Sequence, residues 1–475
     1  MSLWLEWCAC VQALRPACSY SATFAWMTVV LAGFCVRPER AGVTSFVRAL
    51  RLDPGVYPRL LHLFHSSSLS LGRLTQLWAQ LCIARMPLYR VGQARVCIAD
   101  GLKVGKEGRK MPAVKTLFQP SSSNSKPPFI EGHSVQALSL LVQSGERSAV
   151  AVPLTARIHE GIRDTTGPRA RRLTLLDRIV ELFVGTLGHA TADASWILVA
   201  DAYYASGKVM RGLLQAGHHL VTRARSNAVA YRPAPRPRGR RRRGRPRLYG
   251  EKVLVRNLFR ASDVFVRAHS PVYGERNVQI QYRSVTLLWR PVAQLVQFVL
   301  VRHPQRGSIT LMTTDLTLDP LEVIRLYGYR FKIESGFRQA LHTLGGYAYH
   351  FWMSDMDKRT RRSGDQDIRK QTHRYKEHVW RKISAYHRFI QLGCIAQGLL
   401  QHLAIRYPKD VWTLFRSWLR TMDRTKAPSE LVVATALRNT LAEFLADPAS
   451  QDSPARFIAL HQSRDDLRSS RRAAA

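Results

Sequence analysis

Arg95-Val96-Cys97-Ile98-Ala99-Asp100 and Trp196-Ile197-Leu198-Val199-Ala200-Asp201 are the two stretches on which the reading of this chain turns. After the first residue each is an unbroken apolar run, as expected of a strand buried on both faces of a parallel sheet. Each then meets an Asp, which would not continue such a strand, so both carboxylates are expected at strand ends. In open α/β sheets that edge is where ligands bind. Two carboxylates held together raise each other's pKa, and one stays protonated unless a cation is present. A divalent metal removes that cost. For either Asp alone, capping of the next turn is the plainer alternative.

Further along, Tyr327, Arg330 and Glu334 are spaced by three and four residues and share one helix face, which Arg338 and Leu341 continue. Alone, Arg330–Glu334–Arg338 would be a salt-bridge ladder worth a few tenths of a kcal/mol per pair. Behind two strand-end aspartates, Glu334 reads as a third metal-site carboxylate. Phosphodiester cleavage must activate a water, hold it in line and stabilise the departing oxyanion, and two divalent ions about 3.5–4 Å apart do all three. Mg²⁺ accepts hard oxygen ligands and keeps several waters, so no His or Cys is required.

The substrate follows from charge. The 475 residues hold 72 Lys plus Arg against 33 Asp plus Glu, a net charge of +39. A compact chain so charged repels itself unless a polyanion neutralises it, which points to nucleic acid ahead of an anionic membrane surface. Seven cysteines without regular spacing argue against a disulfide framework and for buried thiols in a reducing cytoplasm. The apolar stretch Ala22 to Val36 falls short of the ~20 residues that span a bilayer, so a buried core helix is expected and no membrane partner. The first residues lack a basic region ahead of an apolar one, so no secretory signal is expected.

Five regions are expected. Residues 1–92 form helices (Val43 to Leu52, Tyr57 to Phe64, Leu71 to Ile83), either a DNA-reading helix-turn-helix or a structural or dimerising bundle. Residues 93–225 mix strands and helices in the order of an α/β core, with Gly101 to Lys115 as a loop and Ser206 capping a helix. Residues 226–310 form a β-rich insertion, with nine Arg between 232 and 247. Residues 311–350 return to the core through one helix from near Pro320 to Glu334. Residues 351–475 form a polar loop at 354–377, then helices near 379–406, 408–421 and 428–446 and a disordered tail from Ser463.

Tyr-x2-Arg-x3-Glu behind two strand-end aspartates resembles the DDE transposases of bacterial insertion sequences, in the cut-and-paste subgroup with a Tyr-Arg-Glu-Lys signature. The resemblance covers about 90 to 350. It implies a ribonuclease-H-like catalytic core interrupted by a β-rich insertion between the second Asp and the Glu. It implies that Asp100, Asp201 and Glu334 hold two Mg²⁺, or Mn²⁺ in its place. Tyr327 and Arg330 would contact the DNA backbone near the scissile phosphate. The implied activity is strand cleavage at an element's terminal inverted repeats and transfer into target DNA, by a dimer on DNA in the bacterial cytoplasm. The signature's Lys falls at Leu341, where Arg338 or His342 would have to substitute. The rival readings are a structure-selective nuclease on the same fold and a DNA-binding relic.

Other residues are expected at the DNA. Lys103, Lys106 and Lys110 follow Asp100 directly, with a solvated loop as the alternative. Arg243-Gly244-Arg245-Pro246 matches a minor-groove hook core, and with Arg240 it reads either as that or as a phosphate-binding loop. Trp289 reads as a stacking residue, by the resemblance, or as core. His133 reads as a hydrogen-bonded core residue.

Overall fold

The computed structural model describes residues 3–119, 127–146, 148–164, 173–188, 195–235, 247–261, 263–446 and 454–463. Five strands form the α/β core: β1 (Ala94–Gly105), β2 (Phe129–Gly145), β3 (Ser148–Ile158), β4 (Trp196–Ala200) and β5 (His219–Arg223). They lie in the order β3-β2-β1-β4-β5, with β1, β2 and β3 antiparallel and β4 and β5 parallel to β1. This is a ribonuclease-H-like core. Two of its central strands, β1 and β4, are buried because every residue of β4, and Val96 to Ala99 of β1, is apolar. Helices Leu175–Leu187 and Gly207–Gln215 make the crossovers that parallel strands require and pack on one another. Thr174 opens the first with a capping box and Ser206 caps the second, as its sequence predicts.

The strands between β5 and the Glu334 region do not form a separate sheet. Gly307–Thr313 pairs with β5 from Leu311↔Arg223 to Thr313↔Val221, and the hairpin Gln279–Trp289/Gln294–His303 continues outward from it. The described strands thus share one sheet of 13, apart from a single two-stranded pair.

Helices from both ends of the chain cover β3. The long helix His373–Arg406 packs on β3 and also against Ser21–Val36, whose residues from Met27 onward are all buried. The stretch that imitates a membrane segment is therefore a core helix. No described helix is long and apolar enough to cross a membrane. Polar ties fix the layer to the sheet: Gln391 Oε1 accepts from Thr75, Thr155 and Arg157, and Trp78 donates to the Pro153 carbonyl.

Two local expectations fail. β1 does not end at Asp100 but runs five residues further, because β2 continues to supply partners from Ala137 to Gly132. The expected loop from Gly101 therefore begins only at Lys106. The helix from Pro320 is not continuous: Pro320–Tyr329 stops and Lys332–Gln339 begins anew, with Arg330 and Phe331 at the joint.

Candidate active site

The register of the parallel strands places the site. Ala99 pairs with Ala200, where β4 ends, so Asp100 and Asp201 emerge side by side at the carboxyl edge. Asp100 stays in β1 but has lost its β4 neighbour. Asp201 caps the short 3₁₀ turn Ala202–Tyr204 by accepting from the Tyr203 amide at 3.0 Å. The capping role and a site role thus coexist. Its carbonyl is held by the Thr222 hydroxyl at 2.7 Å, and its second carboxylate oxygen has no partner among the described residues.

Arg330 closes the arrangement. Its Nη1 donates to Asp100 Oδ2 at 2.8 Å and its Nη2 to Glu334 Oε1 at 2.5 Å. The break in the helix leaves Arg330 at a C-cap, so one guanidinium serves an acid on a strand and an acid on the next helix turn. The expected ladder is therefore half made. Arg338 is exposed and has no acidic partner among the described residues.

These groups line an open cleft of about 730 Å³ with Tyr327, Arg223, Arg338, Leu341 and His342 around the three acids. Burial pushes the Asp100 carboxyl up to about 6, against the pull of Arg330 and with Asp201 and Glu334 adding to the rise. Burial also tends to lower Arg330, but its hydrogen bond to Glu334 and the Asp100 charge carry it upward. Tyr327 is half-buried and its phenol is raised, chiefly by burial.

The donor set suits a hard divalent cation: three carboxylates, no sulfur, one free oxygen on Asp201, and an Asp100 that resists ionising until positive charge arrives. The Arg330 guanidinium is the cation that now fills this role. With it between them, the three acids do not form a group whose ligand atoms all lie within 4.8 Å of one another. Among the described residues only Glu6, Cys10 and His402 do.

The predicted basic residues divide. Lys103 is exposed and donates to the Phe118 carbonyl, and Lys110 donates to the Ser354 carbonyl at 2.7 Å. Lys106 corrects the expectation. It is 4 % exposed and donates to the carbonyls of Tyr347 and Tyr349, with its ammonium 3.9 Å from the Tyr349 ring centre. Burial pushes it down to about 7, and it cannot reach a phosphate from there. Arg240, Arg243 and Arg245, with the hook-like run, lie outside the described residues, as does the tail from 464. Trp289 is buried in the core, and His133 is buried with hydrogen bonds to Tyr349 and Pro112.

Arg223 escaped the sequence reading. It ends β5 just as Asp100 follows Ala99 and Asp201 ends the β4 run, and Val199↔Val221 sets it level with Asp201. The sign that could have found it was a third short strand, His219-Leu220-Val221-Thr222, closing on a charged residue.

Comparison with protein families matches residues 13–287, more than half of the chain, to the family described as DDE superfamily endonuclease. No curated protein matches the chain.

Proposed function

Because the chain belongs to the DDE superfamily of endonucleases, whose members cleave DNA with divalent metal ions, we propose that it is a transposase. It cuts strands at the ends of its own element and joins the freed 3′-hydroxyl to target DNA. One observation supports this reading most. Asp100 and Asp201 stand side by side on adjacent parallel strands at the point where β4 ends, and Arg330 ties Asp100 to Glu334 in one open cleft of a strongly basic chain.

Asp100, Asp201 and Glu334 would hold two Mg²⁺. When bound, the ions would supply an activated water or hydroxyl at neutral pH and shield the charge that builds on the oxygens around phosphorus. Thr222 holds the Asp201 carbonyl and the Tyr203 amide holds one of its carboxylate oxygens, so the side chain is oriented before substrate binds. The planar fork of Arg330 suits bidentate binding of a phosphate, and Tyr327 and Arg223 border the same cleft. Cleavage and joining are both in-line displacements at phosphorus, so one site serves both, and no protein nucleophile is required. The chain is expected to act as a dimer across two element ends.

The experiment is incubation with Mg²⁺ and linear DNA carrying the sequence that flanks the gene, beside an Asp201→Asn variant. Cleavage at the end by wild type alone, with binding kept by both, supports the reading. A wild type that binds without cutting favours the DNA-binding relic, for which Leu341 in place of the signature lysine is the motive.

A further inference from the structure

We propose that a hairpin beyond the catalytic edge is a second DNA site, one that takes unpaired nucleotides; this rests on the DNA-cleaving reading of the carboxylate cleft. The hairpin joins Lys115–Phe118 to the first residues of β2. Phe118 and Phe129 are direct cross-strand partners there. They are 56 % and 57 % exposed, with rings 5.4 Å apart at 58°. Two phenyl rings side by side in water are unfavourable unless something covers them.

What covers them is indicated by the surroundings. A cleft of about 690 Å³ adjoins Phe129 and is lined by Pro127, Pro128 and Ile130 and by Arg361 and Arg362. Both Arg side chains are exposed, and neither has a hydrogen-bond or acidic partner among the described residues. They are held in place through Glu131, which accepts from the Thr116 hydroxyl at 2.8 Å, the Arg362 amide at 2.9 Å and the Arg359 guanidinium. The Ser363 carbonyl accepts from the Thr116 amide at 3.0 Å, and Lys103 donates to the Phe118 carbonyl. The nearest acid is thus spent on architecture, and the cleft keeps free positive charge beside free aromatic faces.

That pairing is the chemistry of single-strand binding, in which bases stack on aromatic rings while the backbone follows cations. A paired base hides its faces in the duplex and cannot use it. A second copy of this chain would bring like charge to Arg361 and Arg362, since the net charge is +39. Along β2, Phe129 lies eight residues from Ala137, the partner of Asp100, roughly 27 Å at about 3.4 Å per residue. That is less than one duplex turn of about 34 Å, so DNA cut at the carboxylates would lie within reach of the hairpin.

The test measures binding of the full chain to a forked DNA with a short unpaired arm and to the fully paired duplex, by fluorescence anisotropy. Wild type is expected to prefer the fork. The Phe118→Ala/Phe129→Ala variant should lose about 5- to 150-fold on the fork, as expected for one stacked base, and less than twofold on the duplex. Phe118→Tyr/Phe129→Tyr should keep the preference, and duplex cleavage by all three reports that the fold is intact. An unchanged fork-to-duplex ratio in the Ala variant overturns the proposal, as does an equal loss on both DNAs. A change of oligomeric state in the Ala variant, seen by light scattering, also overturns it by assigning the hairpin to contacts between copies. Wild type that binds neither DNA overturns the catalytic reading as well, whereas failure of the hairpin alone leaves duplex cleavage in place.

Discussion

Near the start of the chain Glu6 shares its carboxylate with Arg85 and His402, each 2.8 Å away; at the sheet edge Asp100 and Glu334 share the single guanidinium of Arg330, and Asp201 beside them has no cationic partner among the described residues. The residue types are nearly the same, and the ratio is reversed. Glu6 has more donors than it needs. Burial tends to raise it, but the hydrogen bonds from His402 and Arg85 prevail and hold it below the usual range. Asp100 has too few and is pushed up to about 6. The first cluster pins helix Leu3–Gln12 to the long helix His373–Arg406 and leaves its acid fully paired, although His402 Nδ1 is buried without a partner among the described residues. It offers three ligand types close together, yet Arg85 already sits on the acid. The second is short of positive charge in a cleft open to solvent. Proximity of ligands alone therefore favours the first cluster as a cation site, whereas the charge deficit favours the second, which is the one proposed above.

The largest expected effect separates the two clusters by activity. Asp100→Asn should lower Mg²⁺-dependent cleavage by at least roughly 10²–10³-fold, since several kcal/mol of transition-state stabilisation depend on the metal. Glu6→Gln should leave cleavage per folded molecule within twofold and cost about 1–2 kcal/mol of stability in urea unfolding. Equal loss of cleavage in both would erase the distinction.

The next effect is a difference of sign with pH. Asp100 holds its proton more tightly folded than unfolded, so its contribution is full below its ordinary value of 3.8 and is lost as pH rises through about 6. The loss is about 3 kcal/mol at most. Glu6 does the reverse: its contribution is present above its ordinary value of 4.5 and is lost as pH falls. Urea unfolding of wild type, Asp100→Asn and Glu6→Gln at about pH 3 and about pH 8, on either side of both ranges, measures both. Without divalent metal, Asp100→Asn should gain on wild type at pH 8, and Mg²⁺ should cancel that gain. An advantage for Asp100→Asn that persists in Mg²⁺ would mean the cleft does not take the ion.

The smallest effect sharpens the picture of the cleft's rim. Leu341 lines it beside Arg338 and His342 and packs against the core. Leu341→Lys should raise affinity for duplex DNA by about fivefold and steepen its salt dependence by about one. No change in slope would place position 341 away from phosphate.

Much of this was legible because it is local. An apolar run closing on Asp marks a buried strand and, for β4, its tip, and Ser206 announces its helix. Asp100 and Asp201 could be picked out as candidates for that reason, whereas Glu334 was marked only by its spacing from Tyr327 and Arg330. What was hidden depends on distant partners. Lys106 looks like any exposed lysine in a basic loop until the carbonyls of Tyr347 and Tyr349 arrive from some 240 residues away. The extension of β1 past Asp100 depends on β2. The helix break at Arg330 is preceded by Gly328 in the last turn, a signal the sequence reading did not use, and its consequence shows only as one guanidinium serving two acids. Phe118 and Phe129 are separated by the Gln119 to Pro128 stretch, and nothing in that composition says that they meet.

The pairing of Gly307–Thr313 with β5 bears on how the chain is made. Arg223 emerges from the ribosome 88 residues before Leu311, its partner across that ladder. At about 5–20 residues per second, β5 waits roughly 4–18 s with one backbone edge unpaired. An apolar strand with a bare edge is a template for pairing with another chain. During synthesis this edge is therefore a point at which nascent copies are exposed to one another, and slow translation through 224–310 should lower the soluble yield more than an equal delay after Thr313.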